Sequence, residues 1–180
     1  MVTSTNSCLT IADQASTPGS SSCNISDTGS LHLLVSIKDE SDIACLVRSV
    51  QNFIVGNTSV KVILLHVIET AYPHGDAHPL FQAASAGEEC RAALVINEAS
   101  QHLRNANIAF DAYIRQGDAG SEILDAAEMF DCSAIILRER KAKSWSKLLS
   151  HGVIHKVVNS SRSAPVVIVD ADGIAKKCRD

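Results

Sequence analysis

The residues best suited to chemistry cluster behind a short apolar run. Ala134-Ile135-Ile136-Leu137 reads as a buried strand, and a basic stretch follows it with Arg138, Arg140, Lys141 and Lys143, and with Trp145 among them. Arginine can grip a phosphate or carboxylate in bidentate fashion, so this stretch could hold an anion by side chain. A charge run is more often a solvated loop, and the indole of Trp145 fits an anchor to the core better than a stacking platform. Two histidine pairs are the other candidates. His74, Asp76 and His78 form H-G-D-A-H, and His151 and His155 stand one helical turn apart in H-G-V-I-H. Each pair could supply two metal ligands, but third and fourth ligands are not evident, and the zinc-protease glutamate is missing. They read as surface histidines, and no metal is expected. Nucleophilic catalysis has no support either: there is no G-x-S-x-G elbow, and Cys132 reads as a small buried residue. No catalytic residue is assigned, and an enzyme is not expected.

The elements around the basic stretch follow from hydrophobic periodicity. Leu149, Val153 and Val157 share one helical face, and Val166-Val167-Ile168-Val169 after Pro165 is another buried strand. Strand, loop, helix and strand in this order form a βαβ unit, which places the basic loop at the carboxyl end of a parallel strand. Ligands of open α/β sheets bind there. Upstream, Leu31 to Ile37 is apolar on both faces and reads as a central strand, closed by Lys38-Asp39-Glu40-Ser41. Asp39 or Ser41 can cap the helix that carries Ile43, Leu46, Val47, Val50 and Ile54 at helical spacing. Val60 to Ile68 is the second strand. Residues 69–87, with Pro73, Gly75, Pro79 and Gly87, read as a long lid or irregular excursion before a helix from about Glu88 to Asn105. Ile108, Phe110, Ala112 and Ile114 alternate with Asp111 and Tyr113, the mark of a half-exposed strand at a sheet edge. Gln116-Gly117-Asp118 turns the chain into a helix burying Ile123, Ala127 and Phe130. Five strands alternating with four helices predict an α/β, doubly wound, mostly parallel sheet of Rossmann-like type.

Composition sets outer bounds. The chain has 180 residues, 46% of them hydrophobic and 20% charged, with a formal net charge of −4. That balance suits one soluble domain and argues against broad nucleic-acid binding. Six cysteines without a C-x-x-C pair read as reduced thiols, and a cytoplasmic location is expected. No apolar run is long enough to span a membrane. No secretory signal is recognisable; the first basic residue is Lys38, which a mitochondrial presequence does not fit, whereas the Ser/Thr-rich start leaves plastid targeting open. Residues 1–30 are expected to be a disordered tail, residues 31–170 the folded domain, and residues 171–180 a C-terminal tail.

The pattern resembles the universal stress protein family over residues 31 to about 170. Leu34-Val35-Ser36-Ile37 resembles the family's first strand, Leu64-Leu65-His66-Val67 its second with a typical His-Val pair. Gln116-Gly117-Asp118 with Ile123 to Glu128 is similar to its turn and third helix, and Ala164 to Val169 to its last strand. The resemblance implies the strand order 3-2-1-4-5 and a homodimer through the last strand, Val166, Val167, Ile168 and Val169. It also implies a ligand crevice touched by Ser36, Ile37, Lys38, Val67, Leu137, Arg138, Arg140, Lys141, His151, Gly152 and Val153. ATP-binding members carry glycines spaced G-x2-G-x9-G after the fourth strand, followed by Ser or Thr. Arg138, Lys141 and His151 stand at those positions here, Gly152 at the hydroxyl position, and Lys38 replaces an acidic residue after the first strand. Backbone N–H groups reach phosphates closely only where side chains are absent. ATP in the family manner is therefore not expected, and no cofactor is assigned. The expected function is a non-enzymatic stress-response or signalling module acting through a protein partner. The alternative is a binding module for a small anionic ligand, an altered nucleotide or cyclic dinucleotide, through the basic loop.

Overall fold

The computed structural model describes residues 9–10, 31–54, 59–69, 79–139 and 147–176, with side chains left aside at 9–10, 79–85 and 147–151. Strand β1 is Leu9–Thr10, β2 Leu31–Ser36, β3 Val60–Glu69, β4 Ala109–Gly117, β5 Ala134–Arg138, β6 Val166–Val169 and β7 Ala175–Lys176. The helices are α1 (Ile43–Ile54), α2 (Pro79–Asn105), α3 (Ala119–Met129) and α4 (Lys147–Ser160). They surround one sheet in the order β1-β4-β3-β2-β5-β6-β7. Counted from Leu31, the five inner strands run 3-2-1-4-5 and are parallel, as expected.

The all-apolar reading of β2 explains its place. Leu33, Leu34 and Val35 are buried, with Leu34 opposite Ile63 of β3 and opposite Ile135 of β5. Side chains alternate faces along each strand, so the sheet divides its core in two. Leu33, Val35, Val62 and Leu64 meet Leu46 and Val50 of α1 and Ile96, Ala99 and Leu103 of α2. Leu34, Ile63, Leu65, Ile135 and Leu137 meet Ile123 and Ala127 of α3 and Val157 of α4. Helix α1 leaves β2 on one face and α4 leaves β5 on the other. The two connections diverge, and a crevice opens between the carboxyl ends of β2 and β5.

Two expectations are corrected. The sheet has seven strands among the described residues because both tails contribute. Leu9–Thr10, inside the segment read as disordered, pairs antiparallel with Ile114 and Tyr113, so β4 is not the outermost strand. Ala175–Lys176, inside the C-terminal tail, pairs antiparallel with Val169 and Ile168. Pairs of two residues carry too little periodicity to be read from sequence. Helix α2 starts at Pro79 instead of near Glu88. Proline suits the first helical position, where its missing N–H would have had no partner, and a breaker was read where a start signal stood. The remaining excursion, residues 70–78 with His74, Asp76 and His78, lies outside the described residues. Tyr113 lies on the face opposite Ile108, Phe110, Ala112 and Ile114, as the alternation implies, and its partly exposed ring sits 4.5 Å from that of Phe130, on the α3 side of the sheet.

Candidate functional site

The crevice has an apolar floor. Ile37 follows β2, Val67 lies on β3, Leu137 on β5, Ile123 on α3, and Val153 and Ile154 on α4; together with Ser36 and Ala119 they enclose about 80 Å³. Lys38, Glu69, Asp42 and Arg138 form the polar rim. Seven residues singled out in the sequence therefore meet in one place: Ser36, Ile37, Lys38, Val67, Leu137, Arg138 and Val153. Gly152 does not join them, because it lies on the exposed side of α4 with no atom within 4 Å of where a Cβ would stand. His151 is part of α4. Arg140 and Lys141 lie outside the described residues, as do Lys143 and Trp145.

The rim is held by two ion pairs of different weight. Lys38 Nζ lies 3.5 Å from Glu69 Oε1, with both side chains about half exposed (58% and 45%). Such a pair contributes about 0–1 kcal/mol and opens readily. Arg138 makes the stronger pair. Its Nη1 donates to Asp42 Oδ1 at 2.9 Å, to the Ser41 carbonyl at 2.5 Å and to Ser41 Oγ at 2.8 Å. The Asp42 carboxylate is 3% exposed and its other oxygen accepts from the backbone N–H groups of Lys38 at 3.0 Å and Asp39 at 3.3 Å. Asp39 in turn caps the 3-10 turn Glu40–Asp42 that leads into α1, taking the Ser41 N–H and hydroxyl. Arg138 thus ties the end of β5 to the start of α1, across the mouth of the crevice.

Asp42 is the site residue that sequence reasoning missed, together with Glu69, Ala119, Ile123 and Ile154. A signal for it existed: Asp39 and Asp42 have the three-residue spacing of a capping box. On the other face of the sheet a second hollow of about 330 Å³ is lined by Lys38, Asp39, His66, Ile68, Glu69, Glu88, Arg91 and Ala92. His66 is buried there and its Nδ1 has no hydrogen-bond partner. Burial above all holds its pKa below the ordinary 6.5, opposed by a hydrogen bond to the Ile37 backbone and by the charge of Asp39, with the charges of Arg91 and Lys38 acting in the same direction as burial.

Helix α3 presents its N-terminus to the crevice through Ala119, and Asp118 caps it by accepting from the Ser121 N–H at 2.9 Å. Lys156 of α4 lies 2.5 Å from Asp118, which joins the two helices of this face. Burial pushes the thiols of Cys45 and, to about 11, Cys132 upward, and both stay protonated at neutral pH. No group of three or more His, Cys, Asp or Glu side chains that could hold a metal occurs among the described residues, and His155 is exposed beside Asn159. No helix among them is long and apolar enough to cross a membrane.

Comparison with known proteins agrees with this fold. The structure is similar to the universal stress protein UspA from Lactobacillus plantarum, with TM-score 0.59 and 19% identity over 77% of this chain and 96% of that one. It is similar to a universal stress protein family protein from Arabidopsis thaliana with AMP bound, with TM-score 0.55 and 13% identity over 78% and 91%. It is also similar to the universal stress protein from Archaeoglobus fulgidus in complex with dAMP, with TM-score 0.56 and 16% identity over 77% and 96%. These likenesses concern the fold. Curated proteins give no match. The sequence model of the universal stress protein family matches residues 33–170, which is most of the chain, and the chain belongs to that family.

Proposed function

We propose that this chain is a non-enzymatic stress-response or signalling module that does not bind ATP in the manner of the family's ATP-binding members. The observation that carries the reading is the engagement of Arg138. Its guanidinium stands at the end of the fourth parallel strand, β5, where unencumbered backbone N–H groups would have to approach phosphates, and it is already bound to Asp42 and Ser41. A triphosphate would have to displace it and break its ion pair with the buried Asp42 carboxylate. Size points the same way, since ligand pockets hold roughly 300–1,000 Å³ and this one encloses about 80 Å³. Signalling then runs through protein contacts, including a second copy of the chain paired along β6. The cytoplasm suits three free thiols, Cys45, Cys90 and Cys132.

A second reading, a binding module for a small anionic ligand, is favoured by the seven expected residues that meet at the crevice and by the AMP and dAMP held by two structural neighbours. Opening of the weak Lys38–Glu69 pair would enlarge the hollow and release a lysine for one phosphate or carboxylate. Calorimetry at physiological salt separates the readings. Mg-ATP should bind no tighter than the millimolar range, and micromolar binding would overturn the first. AMP or a cyclic dinucleotide binding at micromolar concentration, weakened by salt and by Lys38→Ala, would establish the second.

A further inference from the structure

We infer that the C-terminal hairpin, residues 170–176, competes with a second copy of the chain for the outer edge of β6. The inference rests on the proposed pairing along that strand and adds what controls it. An apolar edge strand is a template for another chain, and proteins cover or blunt such edges. Here Val166, Val167 and Ile168 are each half-buried, with Val166 packing on one core cluster and Val167 on the other. The edge is apolar on both faces of the sheet.

Strand β7 covers only part of it, with Lys176 opposite Ile168 and Ala175 opposite Val169. That half is the decisive one. A two-fold axis pairs β6 antiparallel with itself, and the register that uses the whole strand sets Val166 against the partner's Val169 and Val167 against the partner's Ile168. Each of its four pairs then includes one residue already occupied by β7. The hairpin must leave before this register can form. Without its departure only Val166 and Val167 remain, enough for two pairs.

The hairpin is also fastened more firmly than a frayed terminus. Asp170 Oδ1 accepts from the N–H of Asp172 at 2.9 Å and of Ile174 at 3.0 Å, and the Gly173 N–H returns to the Asp170 carbonyl at 3.1 Å. Arg48 of α1 donates to the Asp172 carbonyl at 3.0 Å, and Lys176 pairs with Glu139. Gly173 has φ of +76°, and a Cβ there would stand 2.5 Å from the Cys45 carbonyl oxygen. Only glycine lets this turn rest on α1.

Gly173→Val should therefore release the hairpin while leaving β6 intact. Sedimentation velocity over a range of concentrations, on the full chain, should show the dimer dissociation constant falling about tenfold or more in this variant. Lys176→Glu, at an exposed position that the fold tolerates, should move it the same way by less, and decides the matter if Gly173→Val fails to fold. Adding Val167→Lys should return either variant to monomer. Equal constants for wild type and Lys176→Glu, or for wild type and a folded Gly173→Val, would overturn the inference while leaving the pairing along β6 standing. A dimer that survives Val167→Lys, or wild type and variants all monomeric at several hundred micromolar, would remove the pairing and the inference with it.

Discussion

Arg138 was legible in the sequence as a charge where a glycine would be needed, but its partner was not. A basic residue in a loop suggests an external anion, whereas this guanidinium has found an internal one in Asp42. Sequence distance hides such pairs: the two residues are 96 apart and meet because β2 and β5 are neighbours. Removing one member of a buried pair costs about 3–5 kcal/mol, and the partial exposure of Arg138 places it at the lower end. Arg138→Ala should lower the Tm by roughly 6–12 °C. The Arg138→Ala, Asp42→Ala double variant should lose less than the sum of the singles, and strict additivity in thermal melts would disprove the coupling. His66 gives a second test. Its folded pKa lies below 6.5, so the unfolded chain binds the extra proton first as pH falls. The stability that neutral His66 provides is complete above pH 6.5 and is lost as pH falls through the folded pKa. His66→Leu should flatten the fall of Tm below pH 6.5, and an unchanged slope would assign the acid sensitivity elsewhere.

Among the elements, those with strong periodicity were read correctly in kind and place, and the failures lie at starts and short pairs. Helix α2 was clipped because Pro79 and Gly87 look like breakers in a linear reading, although one opens the helix and the other sits inside it. The turn into α3 was legible as Gln116-Gly117-Asp118, and the structure adds that Asp118 caps the helix. Its contribution can be measured. Asp118→Ala removes the bond to the Ser121 N–H and should cost about 1 kcal/mol, whereas Asp118→Asn keeps the cap and at neutral pH should lose only the exposed Lys156 pair, a smaller cost. The Asp118 carboxyl is held below its usual 3.8, first by Lys156 and then by the Ser121 N–H. Its stabilisation is therefore present above pH 3.8 and lost as pH falls through the lower folded value. Asp118→Asn should make the acid limb of the melting curve shallower; a limb of the same slope would mean that Lys156 contributes nothing.

For the molecule as a whole, alternating strands and helices made the doubly wound class legible and the βαβ unit the place of the crevice, while the strand order came from the family resemblance. The two outer strands were not legible, because their contacts run between tails and a finished sheet. Leu9–Thr10 has a structural role on β4, and a deletion of residues 1–29 would remove it. Deleting them should remove about 1 kcal/mol and lower the Tm by roughly 2–4 °C, with a bare β4 edge more prone to aggregate. No change in melting would show that the pairing contributes nothing. The central position of β2 has one more consequence, at the ribosome. Its two neighbours are made far apart in time: β3 follows closely, but β5 begins at Ala134, 98 residues after β2 ends at Ser36 (134 − 36). At about 5–20 residues per second, the β5 side of Leu33-Leu34-Val35 stays open for roughly 5–20 s of synthesis. During that time the nascent chain carries this apolar edge uncovered, and a chaperone that holds extended apolar segments could meet it there.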